Sequence, residues 1–175
     1  KTKKECVAAG ASKDNVLEVL GEITDEAALK KIVNETVGRF GQIDVLVNNA
    51  GAAVPTTTPF LEETSSDNFD KNLAINAKSS IRLSQIAAPH LIKTKGAIVN
   101  ISSIGGLPFA LDWGQNYGIA KAALDQATIM LAGAFARKGA VLFLADRSQS
   151  EFIVGQRLVV DGGASLENKF MSQSE

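Results

Sequence analysis

Tyr117 and Lys121 stand four residues apart in the stretch Asn116-Tyr117-Gly118-Ile119-Ala120-Lys121, and Tyr117 is the only tyrosine of the chain. On a helix, residues at i and i+4 share one face. A free phenol ionises near pH ~10, too high for a useful base at neutral pH. An ammonium group held close to it favours the phenolate, and such a pair can exchange a proton with an alcohol or a ketone. The spacing alone is common in proteins, and a solvated lysine near a helix start is the bland reading.

Three further features could work with that pair. Ser102-Ser103 closes an apolar run. A hydroxyl there can donate to a carbonyl oxygen that gains negative charge in a reaction, or it can simply cap a turn. Asn76 falls inside a long helical stretch. A buried amide there is unfavourable unless it is used, and it could hold a water that connects Lys121 to solvent. Asn48-Asn49-Ala50-Gly51 follows another apolar run. Its small residues let the backbone approach a flat ligand, and its Asn side chains can tie neighbouring strands together.

The elements that must position these residues can be read along the chain. Residues 1–9 suit a helix stopped at Gly10. Residues 15–23, "NVLEVLGEI", suit a strand. Thr24 can cap a helix whose first turn carries Asp25 and Glu26. In that helix Leu29, Ile32, Val33, Val37 and Phe40 recur at helical spacing before Gly41. Residues 43–51 suit a strand buried on both faces, and 53–59 a loop. A long helix over 66–93 contains Pro89, which can bend or end it. A strand follows over 96–103, a loop over 105–114 and a helix over 115–138, and "AVLFLAD" (140–146) comes with almost no connection. The last strand spans 156–163. Strands alternating with helices predict an α/β fold with a parallel sheet, in which 43–48 and 97–102 are adjacent and central. All four features then fall on the carboxyl edge of the sheet, where such folds bind ligands.

Composition narrows the functions. The 175 residues carry a net charge of −1, which gives no indication of a nucleic-acid partner. Cys6 and His90 are each the only residue of their type, so neither a disulfide framework nor a metal site built on them is expected. No apolar run reaches the ~20 residues of a membrane span, and the first ten residues lack a signal peptide's apolar segment. No repeat or linker divides the chain, so residues 1–175 are expected to form a single domain.

The order of motifs is more specific than any one of them. "NNAG" after a strand, Asn in the next helix, "SS" after the next strand and Tyr-x-x-x-Lys opening another helix resembles the short-chain dehydrogenase/reductase family. The tail "FLADRSQSEFIVGQRLVVDGGASL" is similar to the family's C-terminal portion, particularly in metazoan, nematode-like members. The resemblance implies a Rossmann-like, doubly wound parallel sheet and an NAD- or NADP-dependent oxidoreductase acting on a small alcohol or carbonyl compound. It implies that Tyr117 is the catalytic acid/base and that Lys121 tunes it and binds the nicotinamide ribose. Ser103 would orient the substrate carbonyl, with Ser102 the alternative, and Asn76 would anchor a relay water. Asn48, Ala50 and Gly51 would line the cofactor cleft, with Glu22 near the adenine. His90 has no role in the family's chemistry. Ser103 stands fourteen residues before Tyr117, one more than the commonest family spacing.

The resemblance also implies an incomplete domain. The family's N-terminal glycine-rich turn has no counterpart, and the segment after Gly139 lacks a strand, a Pro-Gly turn and a lid. The family's first, second and sixth strands would then be missing, leaving 43–48 as an apolar edge. Two functions follow as expectations. One is a cytoplasmic oxidoreductase forming a homo-oligomer through the helices at 66–93 and 115–138, with Ala122, Ala123, Ala127, Leu131 and Ala134 at the contact. The other is a non-catalytic fragment that associates with full-length subunits.

Overall fold

The computed structural model describes residues 2–63, 65–107, 114–138 and 141–142. The expected strand at 156–163, the rest of 140–146 and the loop residues Phe109, Leu111 and Trp113 lie outside the described residues.

Five α-helices and a three-stranded parallel sheet form the frame among these residues. Helix α1 (Thr2–Ala8) ends before Gly10, whose φ of 100° suits glycine. Residues 15–23, expected to form a strand, are in no strand. Val16 has extended dihedrals (φ −124°, ψ 114°), yet the segment pairs with none of the three strands. Strand composition supplies the extended backbone, but only a neighbour's ladder of hydrogen bonds makes a strand. Helix α2 (Glu26–Phe40) is capped by Asp25 rather than Thr24. The Asp25 carboxylate takes the N–H groups of Ala27 and Ala28 at 3.0 and 3.3 Å, one residue further on than expected. Gly41, at φ 82°, closes α2 as expected.

Strands β1 (Val45–Asn48) and β2 (Ala97–Asn100) are parallel neighbours, with Leu46 opposite Ile98 and Asn48 opposite Asn100. β2 is central and β1 outermost in the described sheet. The expected burial of β1 on both faces does not hold, because Val45 and Val47 are 45% and 54% exposed. Its inward residue, Leu46, packs against the core, while the opposite face has no covering layer among the described residues. Beside β2, in the place the resemblance assigns to a sixth strand, lies β3 (Val141–Leu142).

The stretch expected as one helix over 66–93 has three parts. Helix α3 (Asp67–Leu73) passes into a π-helical turn, Ala74–Lys78, and then into α4 (Ser79–Thr94). Pro89 lies inside α4 without ending it. Helix α5 (Gln115–Ala136) completes the set. The core gathers Leu29 and Val33 of α2, Leu83, Ala87 and Leu91 of α4, Ile98 of β2, and Ala132 and Phe135 of α5. Leu91 is fully buried at its centre. Leu91→Ala should therefore destabilise the fold by ~2–5 kcal/mol, read from the shift in its urea midpoint at unchanged slope.

Candidate active site

Lys121 is a buried lysine, 4% exposed. Its ammonium donates to the carbonyl oxygen of Ile101, just past β2, at 2.8 Å, and lies 5.7 Å from the centre of the Tyr117 ring. An ammonium has three hydrogens, so this bond leaves it further capacity to donate. Burial pushes the Lys121 pKa below the ordinary lysine range, and the charge of Asp125, one turn further along α5, opposes that shift. Tyr117 is half-buried at the start of α5, one helical turn from Lys121.

The turn that carries the serines packs directly on α5. A Cβ at Gly118 would lie 2.7 Å from the Gly105 carbonyl oxygen, so only glycine lets the turn Ile104–Gly106 come this close. Ser103 caps that turn, its oxygen accepting from the Gly105 N–H at 3.1 Å. The capping role expected of an ordinary serine is thus filled, but it uses a lone pair and leaves the O–H hydrogen free to donate. Ser102 differs: its hydroxyl oxygen is buried and has no hydrogen-bond partner among the described residues.

Asn76 lies in the π turn with no exposed surface. Its Oδ1 accepts from the Ala52 N–H at 3.0 Å, and its Nδ2 donates to the carbonyls of Ala52 at 2.7 Å and Asn72 at 3.0 Å. Both amide hydrogens are therefore used within the protein, and only an acceptor position on Oδ1 remains for a water. The same bonds lay Gly51 against Lys121. A Cβ at Gly51 would lie 2.8 Å from Asn76 Oδ1 and 3.3 Å from Lys121 Nζ. Ala50 and Gly51 themselves are exposed at the carboxyl end of β1.

Two residues expected at the cofactor cleft have other contacts. Asn48 is buried, and its Nδ2 donates to Asn100 Oδ1 at 2.7 Å and Ser84 Oγ at 3.0 Å. It ties β1 to β2 and α4, the strand-linking role that its type allowed. Asn100 continues the tie, donating to Thr128 Oγ1 of α5 at 2.8 Å. Glu22 is exposed and accepts from the N–H and hydroxyl of Thr24. The structure thus gathers Gly51, Asn76, Tyr117 and Lys121, with the Ser103 turn packed on the same helix, while Glu22 lies in the segment that precedes α2.

Sequence reasoning missed Asn68, Asn72 and Asn116. Asn116 Nδ2 donates to Glu63 Oε2 and Asn68 Oδ1, each at 2.9 Å. The available signal was the four-residue spacing of Asn68, Asn72 and Asn76 on one helix.

Comparison with known proteins gives the family and the fold. Residues 1–140 match the sequence profile of a family described as enoyl-(acyl carrier protein) reductase. The chain is 39% identical over 111 residues to meso-2,3-butanediol dehydrogenase of Serratia marcescens, covering 63% of this chain and 42% of that one. It is 45% identical over 86 residues to L-fucose dehydrogenase of Rattus norvegicus, covering 49% and 31%. It thus spans less than half the length of either relative. A solved Caenorhabditis elegans short-chain dehydrogenase/reductase of unknown function, crystallised with cofactor, superposes with a TM-score of 0.87 at 32% identity, covering 94% of this chain and 81% of that one. The chain belongs to the short-chain dehydrogenase/reductase family, and its fold is of the Rossmann-like type, as the motif order implied. No described helix is long and apolar enough to cross a membrane.

Proposed function

We propose that the protein is an NAD- or NADP-dependent oxidoreductase that interconverts an alcohol and a ketone or aldehyde. The observation that carries this reading is the buried Lys121 ammonium, 5.7 Å from the Tyr117 ring centre and anchored on the Ile101 carbonyl. A structural lysine could stay hydrated at the surface. This one is buried beside a phenol, at the edge of the sheet where such folds bind ligands.

The residues divide the work. The Tyr117 oxygen takes the hydroxyl proton of an alcohol and returns it to a carbonyl oxygen in reduction. The Ser103 O–H donates to the same substrate oxygen as its charge changes. Lys121 supplies positive charge next to the phenol and still has hydrogens to give to a ribose hydroxyl. Asn76 fixes Ala52, which keeps Gly51 against Lys121. A bound nicotinamide supplies the hydride acceptor or donor. The free donors of Lys121 and Ser103 and the open backbone at Ala50–Gly51 fit such a group.

The names of the two relatives point to one substrate class. Butanediol and fucose both carry neighbouring hydroxyl groups, so a vicinal diol or a sugar is the substrate to try first. Pairing with a second subunit through α5 belongs to the same proposal, as does a cytoplasmic location. Ile119, Ile129 and Met130 are 42%, 48% and 69% exposed along the outer face of that helix, and Ala122 and Ala134 are exposed there too. The test is a screen of the full-length protein with NAD⁺ and NADP⁺ against meso-2,3-butanediol, L-fucose and glucose, read by the absorbance of reduced nicotinamide. Turnover of at least one alcohol is expected. Absence of both turnover and coenzyme binding would reject an oxidoreductase and favour a non-catalytic partner of active subunits.

A further inference from the structure

Three asparagines one helical turn apart hold an extended piece of backbone. Asn76 exchanges two hydrogen bonds with Ala52, accepting from its N–H at 3.0 Å and donating to its carbonyl at 2.7 Å. Asn72 does the same for Val54, at 3.1 and 3.3 Å. Asn68 donates to the carbonyls of Val54 at 3.0 Å and Pro55 at 3.1 Å. The rungs also brace each other: Asn72 Nδ2 has the backbone and side-chain oxygens of Asn68 within 3.0 Å, and shares its two hydrogens among these and the Val54 carbonyl. The match has a geometric cause. Four helical residues advance about 6 Å, and two extended residues advance about 6.6 Å. Asn76 and Asn72, four residues apart on the helix, can therefore meet Ala52 and Val54, two residues apart in the loop.

The ladder is fastened at both ends to the candidate site. At one end the Asn76 rung lays Gly51 on the Lys121 ammonium. At the other, Asn116, the residue before Tyr117, donates to Asn68 Oδ1 and Glu63 Oε2. Asn72 is 1% exposed and Asn116 5%, so water does not substitute freely for these bonds. We propose that Asn72 and Asn116 are positioning residues for the Tyr117–Lys121 pair: the asparagine ladder serves residues 52–55 as a neighbouring strand would, and so holds Gly51, at the head of that loop, against the Lys121 ammonium. Neither residue touches the reacting atoms. The inference deepens the oxidoreductase reading and rests on it for its catalytic meaning.

The first readout needs neither substrate nor coenzyme. The full-length protein is treated with a water-soluble acylating reagent, and the rate at Lys121 is followed by mass spectrometry. Lys30, whose side chain is 59% exposed, serves as the internal reference. Asn72→Leu removes two bonds to Val54 and should raise the Lys121 rate at least ~5-fold, with Lys30 unchanged. Asn116→Ala, at the far end of the ladder, should raise it in the same direction, and it decides the question alone if Asn72→Leu loses its helical circular dichroism. A second readout separates positioning from mere support. For any alcohol that the wild type oxidises, both variants should lower kcat more than they change coenzyme Kd. A Lys121 rate equal to wild type in folded Asn116→Ala overturns the proposal. Absence of turnover in the wild type rejects the oxidoreductase reading and leaves the labelling result to decide the ladder's role.

Discussion

Tyr117→Phe is expected to lower turnover by at least ~100-fold, the low end of general acid–base contributions, while leaving coenzyme affinity nearly unchanged. The substitution keeps the ring and removes only the hydroxyl. The ring lies within reach of Lys121, 5.7 Å from its ammonium, and phenylalanine preserves that contact. Lys121 stays anchored on Ile101, because the Tyr117 hydroxyl has no part in that bond. The loss therefore falls on proton transfer and not on the packing of α5. Steady-state kinetics on the alcohol found by screening, together with calorimetric titration of the coenzyme, checks both halves. Wild-type turnover in this variant would show that the phenol is not the acid/base and that the stretch is an ordinary helix start.

Lys121→Met should have two effects that no surface lysine would produce. Turnover should fall by ~100-fold or more, and coenzyme should bind more weakly, because one ammonium serves the phenol and the ribose. The second effect is on stability. Burial lowers the Lys121 pKa in the folded protein, while in the unfolded chain a lysine ionises near ~10.4. Between those two values the unfolded chain holds a proton that the folded protein has released. Stability therefore rises with pH across that window in the wild type, and the burial penalty is fully felt below it. Methionine carries no charge, so the variant should lack this share of the rise. Urea midpoints of both proteins across alkaline pH give the comparison, and parallel curves would mean that Lys121 is hydrated in solution.

The parts of the fold set by short-range patterns were legible in the sequence. The apolar runs placed β1 and β2, and the helical spacing of Leu29, Val33 and Val37 placed α2. The motif order placed Tyr117 and Lys121 on α5 and Ser103 in the turn after β2. What depends on a partner was not legible. Residues 15–23 have a strand's composition, but pairing is a property of two segments and the text of one does not contain it. Asn48 reads as a cleft residue or a tie with equal ease until Asn100 and Ser84 are seen beside it. The asparagine ladder was invisible for a similar reason. Polar residues at every fourth position of a helix normally describe a solvated face, and here the face is turned inward onto a loop.

The π turn at Ala74–Lys78 works as a vernier. Asn68, Asn72, Asn76, Ser80 and Ser84 form one stripe of every fourth residue across α3, the π turn and α4. On an ideal α-helix such a stripe drifts sideways by about 40° at each step and would leave its starting face within a few turns. A π turn closes over five residues, as the bond from the Ser79 N–H to the Ala74 carbonyl shows, and so winds less for each residue it adds. It cancels part of the drift. The lower asparagines can then grip residues 52–55 while the Ser84 hydroxyl, further along the same stripe, still meets Asn48 at the end of β1. Winding the same residues as an uninterrupted α-helix would turn the two halves further relative to each other and throw them out of phase. The loop and the strand end could then no longer both be held, although every contact-making side chain would still be present in the chain.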